Sequence, residues 1–109
     1  MGEEHSVEVM YCDEKGYIVR CTCCQQIQIV YGNIAIDQTA QDFRYLSQLI
    51  DRYRLSHRDS EAETCRNIFI KTPFKNLRIL FSYKELLEFH EMLQKVLLML
   101  EAEQLLEEL

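Results

Sequence analysis

Two mostly apolar segments separated by polar residues predict a β-hairpin near the start of the chain. Residues 7–11 and 17–21 flank a turn-like tetrad at residues 13–16 that ends in glycine. Closing the hairpin around this tetrad pairs Cys12 with Tyr17. The two segments are therefore expected to lie antiparallel in one sheet.

A second hairpin is predicted immediately downstream. Residues 27–31 alternate with period two, and Gly32-Asn33 follows them. A two-residue loop with glycine in the first position suits a type II′ turn. This turn places Tyr31 opposite Ile34, and the same register gathers the isoleucines of both strands on one face of the sheet.

A change of period from two to about 3.6 predicts the first helix. Thr39 can cap its N-terminus. One stripe along the helix is apolar and consists of Phe43, Leu46, Leu49, Ile50 and Tyr53. We expect the helix to end between residues 55 and 58, and the polar residues 57–64 to form an exposed loop.

Two short alternating segments, residues 68–70 and 77–81, predict a third hairpin. A five-residue loop between them sets Ile70 against Arg78, whereas a four-residue loop sets Ile70 against Ile79. The four-residue loop is favoured because it places the apolar residues of both strands on one face.

The last helix is expected to start after Ser82, since Ser82 and Glu85 form the capping-box pattern and no helix breaker follows. Continued to the last residue, it has about 25 residues and a length of roughly 38 Å. Five of its apolar residues are spaced to face a sheet, namely Leu86, Leu93, Val96, Leu97 and Leu100. Others spread onto the remaining faces, namely Leu87, Met92, Met99, Leu105, Leu106 and Leu109.

Such a wide apolar surface is unusual for a helix that has one face exposed to solvent. It predicts that the C-terminal helix pairs with another helix, either in a homodimer or with a protein partner. The alternative is that the sheet and the first helix of the same chain cover it.

Together these elements predict an α+β fold with an antiparallel sheet of five to six strands, in the order ββββ-α-ββ-α, packed by two helices of which the C-terminal one is long. The length of 109 residues suits one domain. No repeat or linker interrupts the pattern. We therefore expect a single domain over residues 1–109, with residues 1–6 as a disordered tail.

The negative charge is concentrated at the C-terminal end. The net charge is −6, and residues 84–109 contribute −5 of it, with seven acidic residues against two lysines. An acidic chain disfavours nucleic-acid binding, because that affinity comes from cations meeting phosphates. The basic group at Arg52, Arg54, His57 and Arg58 is interpreted as a solvated helix end, with nucleic-acid binding as the alternative.

Neither a membrane nor an oxidising compartment is indicated. The longest aliphatic run, residues 96–100, is far shorter than a membrane span. The first residues lack the cationic start and the apolar stretch of a secretion signal. Five cysteines on such a chain predict reduced thiols and a cytoplasmic location.

Cys21 and Cys24 are the candidate metal ligands. A C-x-x-C pair can present two thiolates to one zinc ion in a tight turn. The remaining ligands are unknown, with Cys65, His57 and His90 as candidates. The alternatives are that the cysteines are small buried residues at a strand end, or that they carry redox chemistry, which usually needs a helix N-terminus at this motif.

Cys12 is excluded from that ligand set by the first hairpin. If Cys12 pairs with Tyr17, then Cys21 faces Glu8. Cys12 lies four rungs away from Cys21, at roughly 13 Å.

Several spaced blocks resemble a family of small bacterial proteins classed as a domain of unknown function. The resemblance covers about residues 16–105. It is carried by Gly16-Tyr17-Ile18, Cys21-x-x-Cys24, Ile27-Gln28-Ile29-x-Tyr31-Gly32-Asn33-Ile34, Ile68-x-Ile70-x-Thr72-Pro73-x-x-Asn76-Leu77 and Ser82-x-x-Glu85-Leu86. It implies one domain and no particular activity.

The sequence therefore favours a small non-enzymatic interaction or regulatory protein, with a structural metal held at the C-x-x-C segment and a self-associating C-terminal helix. The alternative is a thiol- or metal-dependent enzyme that uses the segment from Cys21 to Cys24. No Walker loop, HExxH motif or nucleophile elbow is present in the sequence.

Overall fold

The computed structural model describes residues 6–58 and 64–109. In chain order its elements are β1 (Val7–Cys12), β2 (Gly16–Cys21), β3 (Ile27–Tyr31), β4 (Ile34–Gln38), α1 (Ala40–Ser56), β5 (Ile68–Lys71), β6 (Arg78–Phe81) and α2 (Tyr83–Glu107). The predicted α+β class and the order of six strands and two helices are confirmed.

The six strands form two sheets. β1 to β4 make an antiparallel meander in sequence order, and β5 pairs only with β6. A groove lined by β4, α1 and the β5–β6 hairpin separates the two sheets. β4 therefore has a free edge where a continuous sheet would have its next strand.

The first hairpin has the predicted pairing at its turn, but the register of the pairing changes by one residue farther from the turn. Cys12 pairs with Tyr17, whereas Cys21 faces Val7 and not Glu8. The prediction of Glu8 is wrong because the register shifts between Val9 and Tyr11. A β-bulge there adds one residue to β1, and the extra residue, Met10, is buried in the core.

The other two hairpins have the predicted registers. Tyr31 lies opposite Ile34 across Gly32, whose φ of +58° matches a II′ turn with glycine first. In the β5–β6 hairpin, Ile70 lies opposite Ile79, as the four-residue loop requires.

Both helices begin at the predicted caps. The Thr39 side chain accepts a hydrogen bond from the backbone N–H of Asp42, and Ser82 forms a complete capping box with Glu85. α1 and α2 pack on one face of the meander. The core between these layers contains Ile18, Ile27, Ile29, Phe43, Ile50, Ile68, Leu86, Leu93 and Val96.

α2 buries four of the five predicted sheet-facing residues, with Leu97 partly buried, and it also buries Phe89 and Met92. Met92, which was expected on another face, is buried as fully as Leu93. That expectation is wrong because α1 and the sheet both contact α2, which widens the buried arc. Leu105, Leu106 and Leu109 beyond the last buried residue, Leu100, are exposed.

Among the described residues, no helix is long and apolar enough to cross a membrane. The predicted tail at residues 1–6 lies outside the described residues except for Ser6. The predicted loop at residues 57–64 also lies outside them for residues 59–63.

Candidate metal centre

A tight turn between β2 and β3 carries the C-x-x-C segment. The Cys21 N–H donates to the Gln26 carbonyl over 2.8 Å, and the Gln25 N–H donates to the Cys21 carbonyl over 2.9 Å. Gln25 has a φ of +62°, a left-handed conformation that costs a residue with a side chain about 1–2 kcal/mol. The chain reverses direction within five residues, so the side chains of the turn crowd together.

The turn is tied to the beginning of β1. The backbone N–H of Thr22 and its hydroxyl both donate to the Ser6 carbonyl, over 3.1 and 2.9 Å. The two hydroxyls of these residues also lie 2.8 Å apart. These bonds fix the backbone of the turn, so the thiols that it carries are held in place before any ligand arrives.

Three thiols converge on this turn. The sulfurs of Cys21, Cys23 and Cys24 all lie within 4.8 Å of one another, and the Sγ atoms of Cys21 and Cys23 are 3.2 Å apart. Cys21 is half-buried, whereas Cys23 and Cys24 are exposed. The alternative that these cysteines are buried fillers is therefore wrong.

Hydrogen bonds within the turn favour the thiolate of Cys21. They lower the pKa of the Cys21 thiol to about 6, chiefly through the Cys24 side chain and then through the Cys24 backbone N–H, the Cys23 thiol and the Cys23 backbone N–H. The pKa of the Cys23 thiol is raised, because its proton is held by Cys21. The turn therefore presents a thiolate near neutral pH.

This arrangement suits a thiophilic metal ion. Thiolates are the ligands of Zn²⁺ and other soft cations. In a tetrahedral site with bonds of about 2.3 Å, neighbouring sulfurs lie about 3.8 Å apart. The Cys21 and Cys23 sulfurs, now 3.2 Å apart, would move apart slightly to reach that spacing.

The candidate histidines lie elsewhere. His57 caps α1, with its Nδ1 2.9 Å from the Tyr53 carbonyl. His90 pairs with Asp51, with 3.0 Å between Nε2 and Oδ1. Among the described residues, no histidine or carboxylate joins the three thiols within 4.8 Å.

The other two cysteines are also outside the cluster. Cys12 lies opposite Tyr17 at the far end of β2 from Cys21, as predicted. Cys65 lies between the two helices in sequence, just before β5, and is exposed. The three clustered thiols are therefore the whole cysteine content of this site.

Sequence reasoning identified Cys21 and Cys24 but not Cys23. The signal was present in the run Cys21-Thr22-Cys23-Cys24. If this run forms a turn, all three cysteine side chains can lie on the same side of it. A regular strand would have placed Cys24 on the opposite face from Cys21 and Cys23. The turn, together with the left-handed Gln25, removes that separation.

The chain was compared with known proteins. No curated protein and no solved structure matched it. A family model described as a family of unknown function, DUF6686, matched residues 3–106. This confirms the resemblance that was drawn from the spaced sequence blocks, and the protein belongs to that family.

Proposed function

We propose that this protein is a small non-enzymatic regulatory protein that binds Zn²⁺ or another thiophilic ion through Cys21, Cys23 and Cys24. The observation that carries the proposal is the convergence of three sulfurs within 4.8 Å on a hydrogen-bonded turn. Cys21 and Cys24 are the ligands that the sequence pattern predicts, and Cys23 is the third.

The exposure of the thiols supports an exchangeable ion. Structural zinc sites have four protein ligands in a closed shell, whereas three ligands leave one coordination position open. Here Cys23 and Cys24 are exposed, and a water molecule or a partner's side chain can complete the shell. An ion held in this way responds to its supply, which suits regulation better than folding.

The surroundings of the thiols favour binding over catalysis. Neither of the two grooves described on the surface is lined by a cysteine. The two histidines considered as partners of the thiols, His57 and His90, are engaged with the Tyr53 carbonyl and with Asp51. The proposal also places the protein in the cytoplasm, where free thiols stay reduced.

Cobalt substitution tests the proposal. Co²⁺ added to reduced protein under argon should give the intense near-ultraviolet band of thiolate-to-cobalt charge transfer, saturating at one ion per chain. Zn²⁺ should displace it. Cys21→Ser, Cys23→Ser and Cys24→Ser should each weaken the band, while the matched control Cys12→Ser should leave it unchanged. No charge-transfer band in the wild type, or a band that survives Cys21→Ser and Cys24→Ser, would overturn the proposal.

The lowered pKa of Cys21 favours a second candidate, thiol-dependent redox chemistry. A peroxide would accept attack by the Cys21 thiolate, so that an S–O bond forms, the O–O bond breaks and an alcohol or water leaves. A neighbouring thiol would then displace water from the sulfenic acid and form a disulfide. Loss of two thiols per equivalent of peroxide, without any cobalt band, would favour this candidate.

A further inference from the structure

The last turns of α2 form an acidic and apolar surface, here called the tail surface. Leu105, Leu106 and Leu109 are exposed there, with 69% of Leu106 accessible to solvent. Glu101, Glu107 and Glu108 surround them and form no ion pair within the described residues. Residues 101–109 contain four acidic residues and no base.

The β5–β6 hairpin forms the opposite kind of surface, here called the hairpin surface. Its apolar members are Phe69, Phe74, Leu77 and Leu80, all exposed, and Phe74 is 71% accessible. Its basic members are Lys71, Lys75 and Arg78, none of which forms an ion pair with a described residue. Residues 64–81 contain four bases and no acid.

The hairpin surface brings two like charges together. Lys71 lies directly opposite Arg78 across the two strands, and like charges in that position destabilise a sheet. Arg78 also lies over the Phe69 ring, 5.6 Å from its centroid. The groove of about 1010 Å³ beside the hairpin is lined by Leu77 and Leu80 on the hairpin side and by Asp37 and Asp42 on the other. An acidic and apolar segment on the hairpin side would relieve the repulsion between Lys71 and Arg78.

We propose that the occupant is a second copy of this chain, whose tail surface docks on the hairpin surface. The two surfaces match in charge and in apolar character. Three acids on the tail surface meet three bases on the hairpin surface, and each set lies beside exposed apolar side chains. Matching of this kind favours one partner and disfavours others. The match also specifies how the homodimer expected from the sequence would form, with the tail surface of one chain on the hairpin surface of the other.

Neither simpler pairing fits the charges. Tail against tail would bring the glutamates of two copies together, and hairpin against hairpin would do the same for the bases. The tail cannot dock on its own hairpin, because α2 starts directly after β6 and runs without a break from Tyr83 to Glu107, which separates its two ends by about 36 Å. The contact must therefore join two chains.

A two-fold pair of copies makes this contact twice. Each tail then meets the hairpin of the other chain, and the assembly closes with no surface left over. This doubling matters because stable interfaces bury about 1,600 Å² in total, more than one helix end provides. A dimer is expected, and its dissociation constant should rise with salt because the paired charges are exposed.

Charge reversal tests the proposal by sedimentation velocity. Glu107→Lys/Glu108→Lys leaves two lysines against Glu101 on the tail surface, and Lys71→Glu/Arg78→Glu leaves two glutamates against Lys75 on the hairpin surface. Each variant alone should raise the dimer dissociation constant at least about tenfold, because like charges then face each other. An equimolar mixture of the two should restore the dimer, since each tail again meets a hairpin of opposite charge.

The controls make each outcome decisive. Glu14→Lys/Glu91→Lys changes the net charge as the tail variant does, at exposed positions outside both surfaces, and should dimerise as the wild type does. Circular dichroism of every variant shows whether the fold is intact. A wild-type monomer at millimolar concentration, variants that still dimerise, or a mixture of folded variants that stays monomeric would each overturn the proposal.

Discussion

Cys21 ends its strand with a sulfur that accepts hydrogen bonds from the turn that follows. The resulting pKa of about 6 means that Cys21 is largely a thiolate at pH 7. Its rate of alkylation by iodoacetamide should therefore rise with pH to a midpoint near 6, instead of the ordinary value of about 8.5. Peptide mapping after pulses of reagent at different pH values measures this for each cysteine.

Two variants show whether the turn causes the effect. Cys24→Ala removes the side-chain donor that contributes most to the lowered pKa, so the midpoint of Cys21 should move upward. Cys65→Ser, outside the cluster, should leave it in place. A midpoint above 8 for Cys21 in the wild type would contradict the geometry of the turn.

Gly16 should tolerate no side chain. A Cβ at Gly16 would lie 2.0 Å from the Val30 carbonyl oxygen on the neighbouring strand, so β2 and β3 would have to separate. Gly16→Ala is therefore expected to lower the free energy of unfolding by about 2–3 kcal/mol, measured by urea denaturation.

Gly32 provides the matched comparison. A Cβ there meets no atom within 4 Å, and only its φ of +58° restricts substitution. Gly32→Ala should cost about 1–2 kcal/mol, less than Gly16→Ala, because only the positive φ opposes a side chain there and no neighbouring atom has to move. If both substitutions lowered the free energy of unfolding equally, the close approach of β2 and β3 would not be the reason that position 16 requires glycine.

The structural roles of some residues could be predicted from the sequence, and those of others could not. The hydrophobic alternation and the length of each turn were enough to pair Tyr31 with Ile34 and Ile70 with Ile79. The bulge at Met10 was not predictable, because a bulge adds one residue without changing composition. Gly16 was assigned to a turn, but it lies in β2, where contact with a strand distant in sequence requires it.

Between elements, Arg20 joins β2 to β1 and to α2. Its guanidinium is 14% exposed and lies 2.6 Å from a carboxylate oxygen of Glu8 and 2.7 Å from one of Glu103. The hydrogen bonds from Arg20 lower the pKa of Glu103. Since the folded value lies below the unfolded one, this stabilisation is present above about pH 4.5 and is lost as the pH falls through the lowered value.

Arg20→Gln should therefore act in two ways. At pH 7 it should lower the free energy of unfolding by about 1–2 kcal/mol, a modest loss because both carboxylates are partly exposed. Below pH 4.5 the difference from the wild type should shrink, because protonation removes the same interaction. Urea denaturation between pH 3 and 7 measures both effects.

Arg66→Gln is the control for this comparison. Arg66 pairs with Glu85 in a similar way, but its side chain is 69% exposed, so the loss at pH 7 should be smaller than for Arg20→Gln. A loss for Arg20→Gln that is no larger, or that grows as the pH falls, would contradict the structural role given to Arg20.

The sequence predicted the elements better than their arrangement. Caps at Thr39 and Ser82 are local, so the starts of both helices were predictable. The division of the strands into two sheets depends on how α1 and the hairpin pack, which no local pattern encodes. The groove beside β4 is a consequence of that packing and was not predicted.

As a whole, the molecule separates its features in space and along the chain. The thiol cluster lies at the turn between β2 and β3, whereas the basic hairpin and the acidic helix end lie on other elements. Net charge alone hides this division, because the −6 of the chain is the sum of a nearly neutral body and an acidic helix. The proposed metal site and the proposed self-association surface therefore share no residue.

The central claim is that Cys21, Cys23 and Cys24 together bind one thiophilic ion. Native mass spectrometry of the reduced protein with Zn²⁺ tests it most directly, with serine variants of the three cysteines beside Cys12→Ser and Cys65→Ser. The account predicts one ion per chain in the wild type and both controls, and loss of that ion in the three cluster variants. Binding of no ion, or of an ion that survives replacement of Cys21 and Cys24, would contradict it.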